Sequence, residues 1–475
     1  MSFNETLAVL RAGQKPQFPG NANSLDYARS MDGQDPLRHL RGEYIIPSKA
    51  MIKKRKLEGV APKDASQNDP AIYFCGNSLG LQPKATRRFV EAQLETWGSI
   101  GVQGHFVSLE DSPLSAWQDM VATCSAQVAK IVGVASPSEV VTMNTLTANL
   151  HLMMASFYKP TATRHKIIAE WKPFPSDSYA IASQLELHGL DVASSLVELQ
   201  PDANMYISTE LVLKTIDEHA DSTALLLLPG IQYYSGQLFD IKTITAHARS
   251  KGIVVGWDLA HAIGNVELQL HDWDIDFAVW CTYKYVNSGP GGIAGAFVHD
   301  KHGAVTQDDS GRLRFHPRLS GWYGCDVSVR FNMSKEFQPT PGAQGFQVSN
   351  PSAMDLASLG GSLSVFDKTT VRELRDKSLV LTAYAEHLLN SIIAASADDV
   401  QPFKIITPAN PMERGAQLSV WLKAGTMPAV GEALDKAGII LDQRKPDVIR
   451  IAPVPMYNTF EEVFTVIDVL RRAVV

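Results

Sequence analysis

The sequence predicts an α/β chain, with a large domain built on a mainly parallel sheet covered by helices and a smaller α+β domain after it. Three observations lead there. Short apolar runs alternate with helical patterns through the middle of the chain. Ala224–Leu228 is apolar throughout, as suits a strand buried on both faces. The tail from Gly415 onward has a different rhythm of short strands and helices. Residues 1–75 are expected to form an N-terminal segment packing with the small domain. Residues 76–345 form the large domain and 346–475 the small one, with the junction beginning around Gly345 and Pro351.

The elements follow in order. The first stretch is polar and irregular, with loop-like Gln14–Gly20 and Pro62–Gln67. Val140 and Val141 read as a strand that leads through Asn144–Asn149 into a helix over Leu150–Phe157. Lys166–Glu170 reads as a strand, and Asp177 caps a helix that stops at His188, before Gly189. Asp240 caps the next helix, which stops before Gly252. Strands then end at Asp258 and near Lys284, and a third run covers Gly292–Val298. In the tail, Gly415–Trp421 reads as a strand and Pro428–Ala437 as a helix stopped by Gly438. Ile439–Leu441 and Val448–Ala452 read as strands, and Thr459 with Glu462 forms a capping box that opens the last helix.

Composition narrows the function. The chain has 475 residues, 45% hydrophobic and 20% charged, which is ordinary globular material. A net charge of −7 offers no basic field for nucleic acid. The basic run Lys53–Lys56 reads as a surface loop. No run of about 18 apolar residues stands out, so no transmembrane helix and no membrane partner are expected. The first residues lack an apolar signal core, and a cytoplasmic location is expected. Cys75, Cys124, Cys281 and Cys325 are scattered, which fits a reducing compartment. His261 and His271 stand at no metal-ligand spacing, so no metal is expected.

The chemistry centres on Lys284. It ends the apolar run Phe277–Tyr283, and the glycine-rich stretch Gly289–Gly295 follows. Upstream, a second apolar run ends at Asp258, with His261 close behind. In open parallel sheets, ligands bind beyond the carboxyl ends of the strands. A lysine and an aspartate there can hold pyridoxal phosphate, the lysine as a Schiff base and the aspartate on the pyridinium nitrogen. Asn144–Asn149 before a helix is a candidate phosphate cradle, or a simple threonine cap. Phe174 is a candidate ring platform, or a core residue. Arg450, set in an apolar run, is a candidate clamp for a substrate carboxylate, or half of a salt bridge.

From about Tyr73 to Phe460 the chain resembles the kynureninases, fold-type I pyridoxal enzymes of the aminotransferase class V group. The resemblance is carried by Tyr73–Pro83, Phe174-Pro175-Ser176-Asp177, Trp257–Asn265, Tyr283-Lys284-Tyr285, Gly321-Trp322, Ser349-Asn350-Pro351 and Arg450–Pro455. It implies hydrolysis of L-kynurenine and 3-hydroxy-L-kynurenine to anthranilate or 3-hydroxyanthranilate plus L-alanine, in tryptophan catabolism and de novo NAD biosynthesis. Pyridoxal 5'-phosphate is the implied cofactor and a homodimer the implied assembly.

The resemblance also implies roles. Lys284 is the Schiff-base lysine and carries the Cα proton. Leu146, Thr147, Tyr234, Tyr283 and Trp322 meet the phosphate. Phe174 stacks on the ring with Asp177 nearby, Asp258 pairs with the ring nitrogen, and His261 supports the cofactor. Tyr283 is also a candidate proton carrier. Asn350 lies near phosphate and substrate, Arg450 holds the substrate carboxylate, and Ser78 and His105 line the aromatic amine pocket. His105 and Asn350 match the animal-type pocket, which implies a preference for 3-hydroxykynurenine. One departure is Pro229, where animal relatives carry a serine before the tyrosine matching Tyr234. It offers neither hydroxyl nor N–H. Two rival readings are another class V lyase, such as a cysteine desulfurase using Cys325, and a non-catalytic pyridoxal-binding protein.

Overall fold

The computed structural model describes residues 1–57, 68–396 and 401–474. The loop-like Pro62–Gln67 lies outside the described residues. The basic residues Lys53–Lys56 are described and exposed. The chain divides into two compact units, one of Ala85–Tyr233 and Phe239–Lys368, the other of Met1–Lys84, Tyr234–Leu238 and Thr369–Val475.

The larger unit runs α1 (Met120–Val132), β1 (Val140–Thr142), α2 (Leu146–Phe157), β2 (Lys166–Glu170), α3 (Pro175–Leu187), β3 (Leu196–Leu199), α4 (Thr209–His219), β4 (Thr223–Pro229), α5 (Ile241–Ser250), β5 (Val254–Asp258), β6 (Phe277–Trp280), β7 (Gly295–Val298) and α6 (Ala353–Phe366). Its seven-stranded sheet has the order β1-β7-β6-β5-β4-β2-β3. Only β7 runs against its neighbours, β1 and β6, and the other pairings are parallel. Every residue of β1, β6 and β7 is buried, which explains their unbroken apolar runs. β5 lies between β4 and β6, so its last residue, Asp258, is held on both sides. Gly256 leaves no room for a Cβ against the Phe277 ring, which draws β5 and β6 tightly together.

Local sequence accounts for most of the helix ends. Asp240 accepts the Thr243 N–H at the start of α5. α3 differs from expectation: Phe174 is its N-cap, Pro175 opens it, and Asp177 sits inside the first turn. Proline suits that opening because its missing N–H would have no helical partner. α2 begins at Leu146, earlier than the expected Leu150.

The boundary between units also differs. Residues 346–368 belong to the larger unit, and Lys368/Thr369 is the division. The reason lies in α6. Its Ser358 and Ser362 hydroxyls donate to the carbonyls of Ser288 and Val286, in the loop that follows Lys284. α6 therefore buttresses the lysine loop.

The smaller unit carries an antiparallel sheet of β8 (Phe403–Ile405), β9 (Leu418–Leu422), β10 (Asp442–Arg444) and β11 (Val448–Ile451), in the order β8-β9-β11-β10. β8 and β10 were not legible in the sequence because each has only three residues, β8 with a lysine at its centre and β10 polar throughout. The same unit carries α7 (Val371–Ala395), α8 (Met427–Ala437) and α9 (Phe460–Val474), besides helices over Phe3–Arg11 and Leu25–Gln34. Gly438 ends α8 in the left-handed conformation, and Thr459 and Glu462 bond reciprocally before α9. By length and composition alone α7 is apolar enough to cross a membrane, because most of its charged residues gather in its first two turns. It is mostly buried against α9 and Phe3–Arg11 as a core helix. A buried ion pair, Lys377 to Asp35 at 2.8 Å, ties α7 to the N-terminal segment.

Candidate active site

Five turns at the carboxyl edge of the larger unit's sheet converge on one pocket. Its walls include Leu146, Thr147, Glu170, Phe174, Ser176, Asp177, Pro229, Tyr233, Asp258, His261, Tyr283 and Lys284. Asp258 ends β5, and its Oδ1 accepts the Ala260 N–H at 2.8 Å. Lys284 lies four residues beyond β6, on a loop rather than at the strand end expected from sequence. That loop is fixed by backbone bonds from Asn287 N–H to Lys284 O at 3.0 Å and from Ser288 N–H to Thr282 O at 3.1 Å. Asn287 adopts a positive φ of 57°, which asparagine tolerates better than most residues.

The lysine amine points into the pocket. Lys284 Nζ is 2.9 Å from His261 Nε2 and 5.9 Å from the centroid of Phe174. Phe174 stands edge-on to Tyr233 at 5.4 Å. Two helix N-termini meet opposite the amine, with Thr147 Oγ1 of α2 and Ser176 Oγ of α3 at 2.6 Å. The turn before α2 is set by Asn144 at a φ of 48°. Asn144 Nδ2 donates to Asn149 Oδ1, and Asn149 Nδ2 to Met143 O. Two sets of helix-end amides thus face one place, which is a strong setting for an anion.

Two carboxyl groups lie beneath. Asp177 and Asp258 are 6% and 7% exposed and within hydrogen-bonding reach of each other. Burial, then the Asp258 charge, raises the Asp177 pKa well above the ordinary carboxylate range, and Lys284 counters only part of this. Asp177 Oδ1 has no hydrogen-bond partner among the described residues. A buried carboxyl pair with an unmet acceptor calls for a cationic N–H donor. A protonated pyridine ring is one, and the aromatic face, twin helix ends and amine complete the fit to pyridoxal phosphate. Tyr283 shares a hydrogen bond with the Cys281 thiol, and burial raises its hydroxyl pKa.

The other expected residues fall elsewhere. Trp322 is half exposed, donates to Arg330 O at 3.2 Å, and lines a separate cavity with Cys325. Asn350 lines another with His105 and Trp117. The His105 ring meets Trp117 edge-on at 4.9 Å, and its buried Nδ1 has no partner among the described residues. Ser78, Tyr234 and Arg450 belong to the smaller unit. Tyr234 accepts the Ser419 hydroxyl through its carbonyl, and the Ser78 N–H donates to Cys75 O. Arg450 is buried, with Nε and Nη2 on Asp442 at 2.9 and 2.7 Å. Its salt-bridge reading therefore holds within this unit. Pro229 ends β4 beside Asp258 and packs at the pocket wall.

Sequence reasoning missed Glu170, Ser176 and Tyr233 at the pocket. Ser176 was within reach, since it sits inside the quoted Phe174–Asp177 motif at a helix start. His271 was read as standing at no metal-ligand spacing along the chain, and its Nδ1 lies 2.8 Å from Glu139, 132 positions away. These two, with His299 and Asp300, bring ligand-type atoms within 4.8 Å of one another. Glu139 already accepts the N–H groups of Asp300 and Ala135, so the cluster closes on itself by hydrogen bonds.

Comparison with known proteins adds to this geometry. The family model of the kynureninase C-terminal domain matches residues 374–470. The chain is 62% identical to Kynureninase 1 of Neurospora crassa, over 99% of both chains. It is also 62% identical to the kynureninase of Pyricularia oryzae, over 96% of both. Among solved structures, it is similar to the cysteine desulfurase CsdA of Escherichia coli, with a TM-score of 0.66 at 16% identity, over 85% of this chain and 94% of that one. That last likeness speaks for the fold alone.

The amine geometry generates a direct expectation. Borohydride treatment of the purified, cofactor-loaded chain links pyridoxal phosphate irreversibly to Lys284, and Lys284→Ala abolishes the link. Peptide mapping that finds the label on another lysine refutes the assignment.

Proposed function

The chain belongs to the kynureninase family, and on that footing we propose the reaction and the roles of its residues. It is a pyridoxal 5'-phosphate-dependent hydrolase of carbon–carbon bonds in ketonic substrates. It cleaves L-kynurenine and 3-hydroxy-L-kynurenine to anthranilate or 3-hydroxyanthranilate plus L-alanine, a step of tryptophan catabolism and NAD biosynthesis. The observation that carries the reading is Lys284 Nζ held 2.9 Å from His261 in a pocket floored by paired carboxyls.

When bound, the cofactor supplies an electron sink for the pair left by the broken bond. Asp258, with Asp177 beside it, is the anion that keeps the ring nitrogen protonated. The N-termini of α2 and α3, with Leu146, Thr147 and Ser176, hold the phosphate. Phe174 offers its face to the ring. Lys284 moves the proton at the substrate Cα, and His261 orients its amine. Tyr283 keeps its proton, because burial disfavours the phenolate, and so acts as a hydrogen-bond donor. Arg450, its plane set by Asp442, is retained as the candidate clamp for a substrate carboxylate. The desulfurase alternative loses its support, since the chain is 62% identical over nearly its full length to kynureninases.

The assembly is inferred to be a homodimer. Its support is an exposed apolar patch, with Val102, Phe106, Trp322 and Phe331 between about half and three-quarters exposed. The Phe331 ring lies 5.7 Å from both Phe106 and Trp322. A cytoplasmic site of action is inferred from four free cysteines, and recovery of the protein in a membrane fraction would refute it.

Four outcomes are expected. Purified protein incubated with kynurenine releases fluorescent anthranilate. Asp258→Asn keeps the cofactor but slows turnover about 100-fold or more, on the order of 3 kcal/mol of transition-state stabilisation; near-normal turnover in that variant removes the role. Sedimentation gives a dimer at assay concentration, and an active monomer counts against it. Last, kcat/KM favours 3-hydroxykynurenine, because the unmet His105 Nδ1 beside Asn350 can pair a phenolic hydroxyl. Each hydrogen bond of about 1.4 kcal/mol gives roughly ten-fold discrimination. His105→Trp and Asn350→Thr erase the preference. A wild-type preference for kynurenine overturns the pocket reading alone.

A further inference from the structure

The pocket contains a third carboxyl group that the reaction as described leaves unused. Glu170 is the last residue of β2 and is only 1% exposed, yet its side chain lines the same cavity as Lys284, Asp177 and Asp258. A glutamate at a strand end is ordinarily solvated. Here its Oε2 accepts the Lys172 N–H at 2.9 Å, and its Oε1 accepts Gln232 Nε2 at 3.2 Å. Gln232 Nε2 also reaches Lys172 O at 3.2 Å. These bonds close the turn between β2 and α3 against the loop after β4. That turn carries Phe174 at its end and Asp177 one helical turn on. Glu170 also acts on Asp177 through space, since its charge is one of those that disfavour the Asp177 carboxylate.

We propose that Glu170 is a positioning residue for the carbon–carbon cleavage, with two linked tasks: its carboxyl fixes the turn that presents Phe174 and Asp177, and its charge state governs how firmly Asp177 holds a proton. The proposal rests on the pyridoxal-enzyme reading above. The charged neighbours of Glu170 are known. Lys172 follows on the same turn, Glu198 lies on the adjacent strand β3, and Asp177 faces it from α3. Asp258 and Lys284 occupy the same cavity from β5 and the lysine loop. Burial outweighs the two N–H donors and pushes the Glu170 pKa up to about 7. The sign follows directly. The folded state holds the Glu170 proton more tightly than the unfolded chain. Stability from this group is therefore complete below the ordinary value of 4.5 and is lost as pH rises through about 7. Over the same range Glu170 gains charge and makes Asp177 harder to ionise.

The test compares the unmodified holoenzyme with Glu170→Gln and Glu170→Asp. Glutamine keeps the size and removes the charge, whereas aspartate keeps the charge. The expected result is a kcat/KM inflection that moves to lower pH in E170Q by about half a unit or more, and stays near its original place in E170D. Melting temperature falls less between pH 5 and pH 8 in E170Q than in the unmodified protein, and this readout needs no turnover. Coincident inflections, or parallel melting profiles, overturn the proposal and leave Glu170 as a structural residue. Should E170Q not fold, unmodified protein labelled with 13C-carboxyl glutamate decides: a glutamate-specific band of a protonated carboxyl must persist to near neutral pH, and its absence overturns the proposal. Failure of the unmodified protein to cleave kynurenine would instead sink the functional reading.

Discussion

The close approach of Asp177 and Asp258 in a buried setting is the constraint to which the rest of the site answers. Two unit charges about 4 Å apart interact by about 4 kcal/mol at an effective dielectric of about 20. Two buried carboxylates therefore cannot both ionise without a cation or a shared proton. Lys284 is nearby, but its amine is directed to His261, and the Asp177 pKa remains raised. The empty acceptor on Asp177 is thus a stored demand for an N–H donor. A pyridinium ring meets that demand, and the same proton is what gives the ring its power to withdraw electrons. The arrangement costs the apo protein stability and returns it on cofactor binding, the usual linkage between a ligand and the folded state.

Holding two like charges together requires a rigid frame. Asp258 comes from a strand with partners on both sides, drawn close to β6 at Gly256. Asp177 comes from the first turn of α3, whose free amides favour negative charge. Lys284 comes from a loop pinned within itself and braced by α6 through Ser358 and Ser362. Each group is fixed by a different element, so none can relax away from the others. A site of this kind has to sit where several elements end together, and the carboxyl edge of a parallel sheet is such a place.

Much of this was legible in the sequence, and the failures have physical causes. Buried strands announce themselves by continuous apolar runs, so β4, β5 and β6 were evident. Capping chemistry is local, so Asp240, and Thr459 with Glu462, were correctly placed. Lys284 was read as a strand end because Cys281-Thr282-Tyr283 continues the apolar run, although hydrogen bonding stops at Trp280. Asp177 was read as a cap because aspartate often is one, whereas Pro175 had already opened the helix. The unit boundary was misjudged because the tie between α6 and the lysine loop is tertiary, spanning 70 residues from Ser288 to Ser358. Glu170 was invisible as a site residue because nothing in a chain of letters separates a buried glutamate from a solvated one.

Fold and family answer different questions here. The cysteine desulfurase shares the architecture at 16% identity, so the sheet, the helices and their order do not choose the reaction. What chooses it is the set of groups placed around the lysine. A desulfurase needs a thiol that can attack, but Cys325 lines another cavity and Cys281 is buried with its pKa raised. Cleavage of a ketone side chain needs instead groups that hold and release protons around a fixed cofactor, and the pocket supplies several carboxyls, a histidine and a phenol. Glu170, Asp177 and Tyr283 each keep a proton more tightly than usual, to unequal extents, because burial and neighbouring negative charge disfavour their charged forms. Such a spread allows one site to donate at one atom and accept at another within a single turnover.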